Sequence, residues 1–447
     1  MDKSGSSANA LGDQFMDSAT KAMDLCDQLY AEKKIRAAVI TSAKDTFCVG
    51  ADLEQVYPIT DEAEARKLSQ TAQQFFERLA DTKYPVIAAI NGMALGGGCE
   101  LALACHHRVI SSTAAIGLPE TLIGLLPGAG GTVRLQRLIG VQNALKIILA
   151  GKSEKADKAV KLGIADAVAQ GIDKNPNEYL FFKEARAFCE KVLAENRKPS
   201  KGKKKSFQDR LLEDTSIGRR IIANQSVKTL NKQTKGKYIA SYKALECVLF
   251  AAGHAHKEAL DFEAKKFAEL CVSPEAKNQI ALFFLDDGMK KVDKKTGVNP
   301  SEIPKVKKVG VMGAGVMGSG ISHYFALKDH KVYMKDLKQE FVDKGLAFVR
   351  GEFEASYAKK KIDDAKLQKY LTSVTGGTKD DDFKTCDVVI EAAVEVMDVK
   401  KKMLQQLEQA GILDGKRLFA TNTSSLSITE LQSVSKYPEC VVGMHFF

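Results

Sequence analysis

No apolar run in the chain approaches the ~18 residues that cross a bilayer. Apolar stretches such as residues 122–126 and 281–285 are core-sized, so no membrane span is expected. The nine cysteines form no C-x-x-C and the seven histidines no H-x-x-x-H, so a zinc site is not expected; His106-His107 and the pair His254 and His256 read as structural or surface residues. An odd cysteine count, with Cys99, Cys105, Cys247 and Cys271 in apolar surroundings, reads as buried thiols in a reducing compartment. Neither a secretory signal nor a transit peptide is visible, and no short-period repeat is present. The chain opens on a Ser/Gly/Asn turn-like stretch and stops inside the apolar His445-Phe446-Phe447. Because termini are usually polar and exposed, both ends read as cut.

What is present is globular in character. The 447 residues, 45% hydrophobic and 27% charged, correspond to about three units at roughly 150 residues each. A net charge of +10, from 66 Lys and Arg against 56 Asp and Glu, is spread along the chain. Its one cluster, Arg197, Lys198, Lys201, Lys203, Lys204 and Lys205, lacks an aromatic until Phe207 and reads as a solvated loop. Nucleic acid is therefore not expected as a partner; a mild positive field suits an anionic substrate such as a nucleotide or coenzyme A.

An amphipathic helix is expected over residues 11–33. Residues 35–170 then alternate short strands (37–41, 86–90) with helices (101–105, 133–149), an α/β pattern. Strand signals fade from about 178 to 295, where helices are expected over 179–196 and 240–270. A Lys-rich linker with Pro300 and Pro304 follows at 290–305. The organisation expected is a first domain over 1–177, a mostly helical region over 178–304 and a second α/β domain over 305–447.

The second domain opens with a strand at 308–312, followed at once by Gly313-Ala314-Gly315-Val316-Met317-Gly318 and an apolar helix. Eighteen residues after Gly318, the next strand ends in Asp336. A G-x-G-x-x-G alone is weak; in this context each part has a task. Gly313 permits the tight turn, Gly315 lets backbone N–H groups approach a pyrophosphate, and Gly318 lets the helix pack closely with its positive end toward the phosphates. Asp336 can accept hydrogen bonds from the adenosine ribose, which favours NAD over NADP. A strand at 387–391 precedes Ala392, Ala393, Val394, Glu395 and a helix carrying Lys400. Asn422, Thr423, Ser424 and Ser425 cap another strand, and His445 is expected on the last strand, 441–447. Ligands bind at strand C-termini in such sheets. There His445 is either a proton acceptor beside a nicotinamide or a satisfied core histidine.

These motifs, with Val389-Ile390-Glu391-Ala392 and Gly443-Met444-His445-Phe446-Phe447, resemble the Rossmann-type NAD domain of the 3-hydroxyacyl-CoA dehydrogenases. The resemblance implies that His445 is the catalytic base, that Ser424 hydrogen-bonds the substrate oxygen, and that Met317, Asp336, Ala393, Val394, Glu395, Lys400 and Ser424 contact NAD. It also implies a helical domain after H-F-F that this chain does not include.

Toward the front, Val49-Gly50-Ala51-Asp52 follows one strand and Gly96-Gly97-Gly98-Cys99-Glu100 follows another, opening a helix. Consecutive glycines before an apolar helix expose N–H groups at its positive end, an arrangement suited to an oxyanion. Glu100 enters an otherwise apolar helix and Glu120 lies in an apolar stretch; taken alone they also read as a helix N-terminal charge and a turn residue. With Leu118-Pro119-Glu120 and the run from Leu125 to Thr132, residues 9 to about 168 resemble the crotonase (enoyl-CoA hydratase) superfamily, whose domain is a ββα spiral. The resemblance implies that the N–H groups of Val49 and Gly97 hold a thioester oxygen, with Gly50, Ala51 and Asp52 beside the substrate. It implies further that Glu100 and Glu120 hold a water for addition to C2=C3, with enoyl isomerisation as a side activity. Two leading strands of that family are not included.

A crotonase domain, a helical linker and a hydroxyacyl-CoA dehydrogenase domain in this order resemble the α-subunits of multifunctional fatty-acid β-oxidation complexes. That resemblance implies acyl-CoA substrates, NAD as cofactor and a thiolase β-subunit as partner. It leaves open peripheral membrane association and a location in the bacterial cytoplasm or the mitochondrial matrix. The competing expectations are a chain that binds acyl-CoA and NAD without turnover, and a basic surface-binding protein built on the 197–205 cluster.

Overall fold

A computed structural model describes residues 1–447 except 3, 4, 7, 171–177, 200–205, 291–298, 300 and 302. Most of the expected Lys-rich linker and most of the basic cluster lie outside the described residues. The chain divides into two compact units, Met1–Val292 and Asp293–Phe447, each described by itself below. No described helix is long and apolar enough to cross a membrane, and all nine cysteines are free.

In the first unit, α1 (Asp13–Ala31) leads to β1 (Ala38–Ile40), the short α2 (Leu53–Val56) and α3 (Glu62–Ala80). β2 (Val86–Ile90), β3 (Ala94–Leu95) and α4 (Gly97–Ala104) form one ββα turn. β4 (His107–Ser111), β5 (Ala115–Gly117), a 3-10 turn at Glu120–Ile123 and α5 (Gly131–Ile139) form the next. α6 (Val141–Ile148), β6 (Ser153–Lys155), α7 (Ala156–Leu162) and β7 (Ala167–Ala169) complete the α/β part. Each turn deposits one strand in a parallel sheet of order β1-β2-β4-β7 and one in a small sheet of order β3-β5-β6, which is the expected spiral. The single helix expected over 133–149 is broken at Gly140, whose φ of 85° interrupts the helical ladder.

Every residue of β2 is buried, and the two-residue period of a strand divides them between two cores. Val86, Ala88 and Ile90 face the main cluster. Ile87 and Ala89 pack with Phe181, Ala185 and Cys189 of α8 (Glu178–Ala194). A parallel sheet needs cover on both faces, so the segment expected as a separate helical linker is drawn into the first unit. α9 (Phe207–Glu213), α10 (Ser216–Thr234), α11 (Ile239–Gly253), α12 (His256–Cys271) and α13 (Pro274–Lys290) follow. Ile222, Leu230, Leu245, Val248, Phe267 and Ile280 from these helices share one apolar cluster with Phe47, Ile90 and Leu126. The compact division thus falls at residue 292, whereas the expected first domain stops at 177. The helix expected over 240–270 is two, separated by extended backbone at His254 and Ala255.

The second unit contains β8 (Lys308–Met312), α14 (Val316–Leu327), β9 (Lys331–Lys335), α15 (Gln339–Ala358), α16 (Asp364–Leu371) and β10 (Val374–Gly377). It continues with β11 (Val388–Glu391), α17 (Met397–Gln409), β12 (Leu418–Thr421), α18 (Ile428–Gln432) and β13 (Val441–Gly443). Its sheet is parallel throughout, of order β10-β9-β8-β11-β12-β13, the doubly wound order whose reversal lies between β8 and β11. The last strand ends at Gly443, so His445 lies beyond it rather than on it.

Replacing Phe181, which is fully buried under β2, by Ala should lower the unfolding free energy by about 3–5 kcal/mol. The measurement is the urea midpoint; an unchanged midpoint would mean that α8 is not part of the first unit's core.

Candidate functional sites

In the first unit the two expected acids flank the N-terminus of α4. Gly96, its N-cap, has φ 54° and ψ −127°, a conformation open to glycine, and a Cβ there would lie 3.1 Å from Glu120 Oε1. Glu100 sits one turn into α4, its N–H donating to the Gly96 carbonyl. Its side chain is 3% exposed, and Oε1 accepts from Ala129 N at 2.7 Å and Gly131 N at 2.8 Å. Glu120, at the start of the 3-10 turn, keeps a buried Oε2 with no hydrogen-bond partner among the described residues. Burial pushes the Glu120 carboxyl up to about 8, helped by the charge of Glu263. Burial, followed by repulsion from Glu120 and Glu263, pushes Glu100 well above the usual carboxylate range, against the two amides that favour its ionised form. A pair placed in this way holds a proton at neutral pH.

The oxyanion cradle differs from expectation in one donor. Val49 N donates to the Asn9 carbonyl at 2.9 Å and is therefore spent on backbone pairing. The same pairing continues in Leu11 N to Gly50 O and Asp52 N to Leu11 O, both 2.8 Å, so residues 9–11 bridge residues 49–52. Asn9 is itself pinned, its Nδ2 donating to Ser42 Oγ at 2.8 Å. Gly97 heads α4, where helical N–H groups lack intrahelical acceptors. A Cβ on Gly97 would lie 3.4 Å from Ala51 N, and one on Gly50 3.8 Å from Gly97 N. The Gly50-Ala51 and Gly97 amides therefore share one small region in front of the acids.

In the second unit the paired register Met312↔Glu391, Glu391↔Thr421 and Thr421↔Gly443 aligns the C-terminal ends of β8, β11, β12 and β13. This brings Gly313, Ala393, Ser424 and His445 to one edge. Gly318 must be glycine, because a Cβ would fall 1.8 Å from the Gly313 carbonyl oxygen. A Cβ on Gly315, the N-cap of α14, would meet nothing within 4 Å, and Val316 and Met317 beside it are exposed. The open helix N-terminus fits a pyrophosphate. Asp336 braces this loop, accepting from Ala314 N at 2.8 Å and Leu337 N at 2.7 Å.

Lys400 differs from its expected role as a cofactor contact. It is 1% exposed and donates to both oxygens of the buried Glu391 at 2.9 and 2.8 Å, reaching Glu395 at 3.3 Å. Glu391 also accepts from Ala393 N and Thr421 Oγ1. Glu395, beside the exposed Val394, accepts from Thr423 Oγ1 at 2.5 Å and Ser424 N at 3.0 Å. Although desolvation opposes it, these bonds and Lys400 hold the Glu395 carboxyl down at about 2. His445 is exposed, and its backbone neighbour Phe446 N donates to Asn422 Oδ1 at 2.7 Å, which ties it to the Ser424 turn. The bracing residues Glu263, Gln73, Glu391 and Asn422 carry no role in the sequence reading. The one available signal was an acid, Glu263, at the inward helical position among Ala259, Leu260, Ala264 and Phe267.

Comparison with known proteins gives one family match in each unit. Residues 3–245 match the family model of enoyl-CoA hydratase/isomerase, and residues 308–447 match that of the 3-hydroxyacyl-CoA dehydrogenase NAD-binding domain. A relative from Vibrio parahaemolyticus, named fatty acid oxidation complex subunit alpha, is 37% identical over 96% of this chain and 59% of its own length. One of the same name from Idiomarina loihiensis is 35% identical over 100% of this chain and 61% of its own. The chain thus spans about 60% of the length of the curated relatives it matches. A hydratase/isomerase match over more than half of the residues, carried on a spiral of two small sheets, assigns this chain to the enoyl-CoA hydratase/isomerase family, with a 3-hydroxyacyl-CoA dehydrogenase NAD-binding domain following in the same polypeptide.

Proposed function

We propose that the first unit adds water across C2=C3 of a 2-enoyl-CoA, and that the second serves oxidation of the resulting 3-hydroxyacyl-CoA to the 3-ketoacyl-CoA with NAD. The observation that carries the hydratase reading is the pair of buried acids at one helix N-terminus, one held by amides and the other with an unpartnered oxygen. Glu100, whose ionised form the Ala129 and Gly131 amides favour, takes a proton from water as its oxygen bonds to C3. Glu120, which burial keeps protonated, delivers a proton to C2. Between these events negative charge gathers on the thioester oxygen. The Gly97 and Ala51 amides are the donors best disposed to meet it, and each such donor is worth ~3 kcal/mol.

In the second unit the Gly315 cradle and the N-terminus of α14 would hold the NAD pyrophosphate, with Asp336 beside the ribose. NAD, when bound, accepts the hydride from C3. His445 takes the hydroxyl proton and Ser424 hydrogen-bonds the same oxygen. Order along the chain supports the pairing, because the product of hydration is the alcohol to be oxidised. The name of the relatives, a complex subunit, extends the reading to an assembly partner. A thiolase that consumes the 3-ketoacyl-CoA fits, and co-purification without any thiolase counts against it.

Loss of the enone absorbance of crotonyl-CoA measures hydration. Glu100→Gln and Glu120→Gln should each lower kcat by about 10²–10⁴-fold in folded protein, and turnover should fall as pH rises through about 8, where Glu120 loses its proton. Stability should follow the same sign. The folded pair binds more protons than the unfolded chain, so its contribution is full below the unfolded carboxyl range and is lost as pH rises through the raised value. Urea midpoints at about pH 5 and about pH 9 should therefore differ less in Glu120→Gln than in the parent. Calorimetric titration with NAD should give no binding for Gly318→Ala and unchanged affinity for Glu100→Gln.

A further inference from the structure

We propose that Glu263, on α12, is the positioning residue for Glu100: it grips alternate amides of residues 129–132 and so presents the remaining two to the Glu100 carboxylate. The inference deepens the hydratase reading and rests on it. Glu263 is 0% exposed. Its Oε1 accepts from Gly130 N at 2.6 Å and Gln73 Nε2 at 3.1 Å, and its Oε2 from Thr132 N at 2.9 Å and Thr132 Oγ1 at 2.5 Å. Glu100 Oε1 takes Ala129 N and Gly131 N. Successive amides thus point alternately to two carboxyls on opposite sides of one turn. That turn is also the head of α5, whose first N–H groups have no intrahelical acceptors and favour negative charge nearby. The two acids divide those donors between them.

The grip is rigid from the α12 side. Gln73 of α3 also donates to the Leu260 carbonyl at 2.9 Å, Ser69 Oγ donates to the Gly128 carbonyl at 2.5 Å, and Phe267 lies so close to Gly128 that a Cβ there would come within 2.6 Å of its ring. Burial pushes the Glu263 carboxyl up, but all four of its partners serve as donors, which suits a carboxylate rather than a protonated acid. Among the described residues no cation pairs with it. Arg134 of α5 and His256 of α12 are engaged by Glu77 of α3, Lys243 of α11 by Glu269, and Lys277 of α13 donates to the Tyr57 carbonyl. The titratable groups that sense Glu263 are Glu100 of α4, Glu120 of the 3-10 turn and Cys247 of α11. Its negative charge therefore also helps the Glu100–Glu120 pair hold its one shared proton.

The test compares the full chain with Glu263→Gln and Glu263→Asp in crotonyl-CoA hydration over a pH series. Glu263→Gln should lower kcat on the order of 100-fold, the cost of misplacing a reacting group, with little change in KM. It should also move the alkaline limb of the profile to lower pH, because one negative charge has left the surroundings of Glu100 and Glu120. Glu263→Asp, which keeps the charge but shortens the reach, should restore the limb without the full rate. A Gln variant with parental kcat and pH profile overturns the inference. Absence of turnover in the parent chain instead overturns the hydratase reading. The positioning role is then read by infrared titration of the Glu100 carboxyl, assigned through Glu100→Gln: a downward move in Glu263→Gln supports it and an unmoved band overturns it. If Glu263→Gln does not fold, Thr132→Val removes one of the four donors while preserving shape. It should lower kcat and disturb the same carboxyl band; parental behaviour overturns the inference.

Discussion

A carboxylate taken out of water must be met by donors, or it abandons its charge or the fold. The chain solves this problem twice and in different ways. In the first unit three acids, Glu100, Glu120 and Glu263, lie near one another with no pairing cation among the described residues, and backbone amides of a single glycine-rich turn carry the compensation for two of them. The third is left with an oxygen that has no partner among the described residues. In the second unit Glu391 receives a full ion pair from Lys400 together with Thr421 and an amide. The first solution keeps carboxyls chemically available. The second locks one away as a brace beneath the cofactor edge.

That difference also explains what could be read from the sequence. The NAD-binding unit was legible because its signals are local. A strand, a glycine turn and a helix lie in one run, and β8 has the expected boundaries, 308–312. Glu100 and Glu120 were legible as acids in apolar surroundings. Val49 was misjudged because its N–H is consumed by Asn9, forty positions away, a pairing no local pattern encodes. Lys400 was expected to contact NAD, and only the strand end bearing Glu391 turns it inward. Glu263 sits in a helix that composition assigns to a linker, and its partners lie on α3 and α5.

The reacting edge of the second unit depends on a similar indirect arrangement. His445 is held through its neighbour's amide, while its own ring packs edge-on against Phe447 at 4.6 Å. Asn422 fixes Phe446, and the Phe446 ring packs at 6.1 Å against both Tyr324 and Phe325 of α14. The helix whose N-terminus would face the phosphates thus also anchors the histidine's segment, so both ends of a bound dinucleotide would be referenced to one rigid element.

The helices beyond residue 178 bear on modularity. The match to the hydratase/isomerase family model extends to residue 245, inside α11 (Ile239–Gly253) and before Glu263. A recombination event that exchanged the two halves at that point would inherit the glycine turn without the acceptor of its Gly130 and Thr132 amides. It would also strip the main core of Phe267 and Ile280. The stretch whose core packs as one is therefore longer than the stretch matched to the family, and reaches Ile280 of α13.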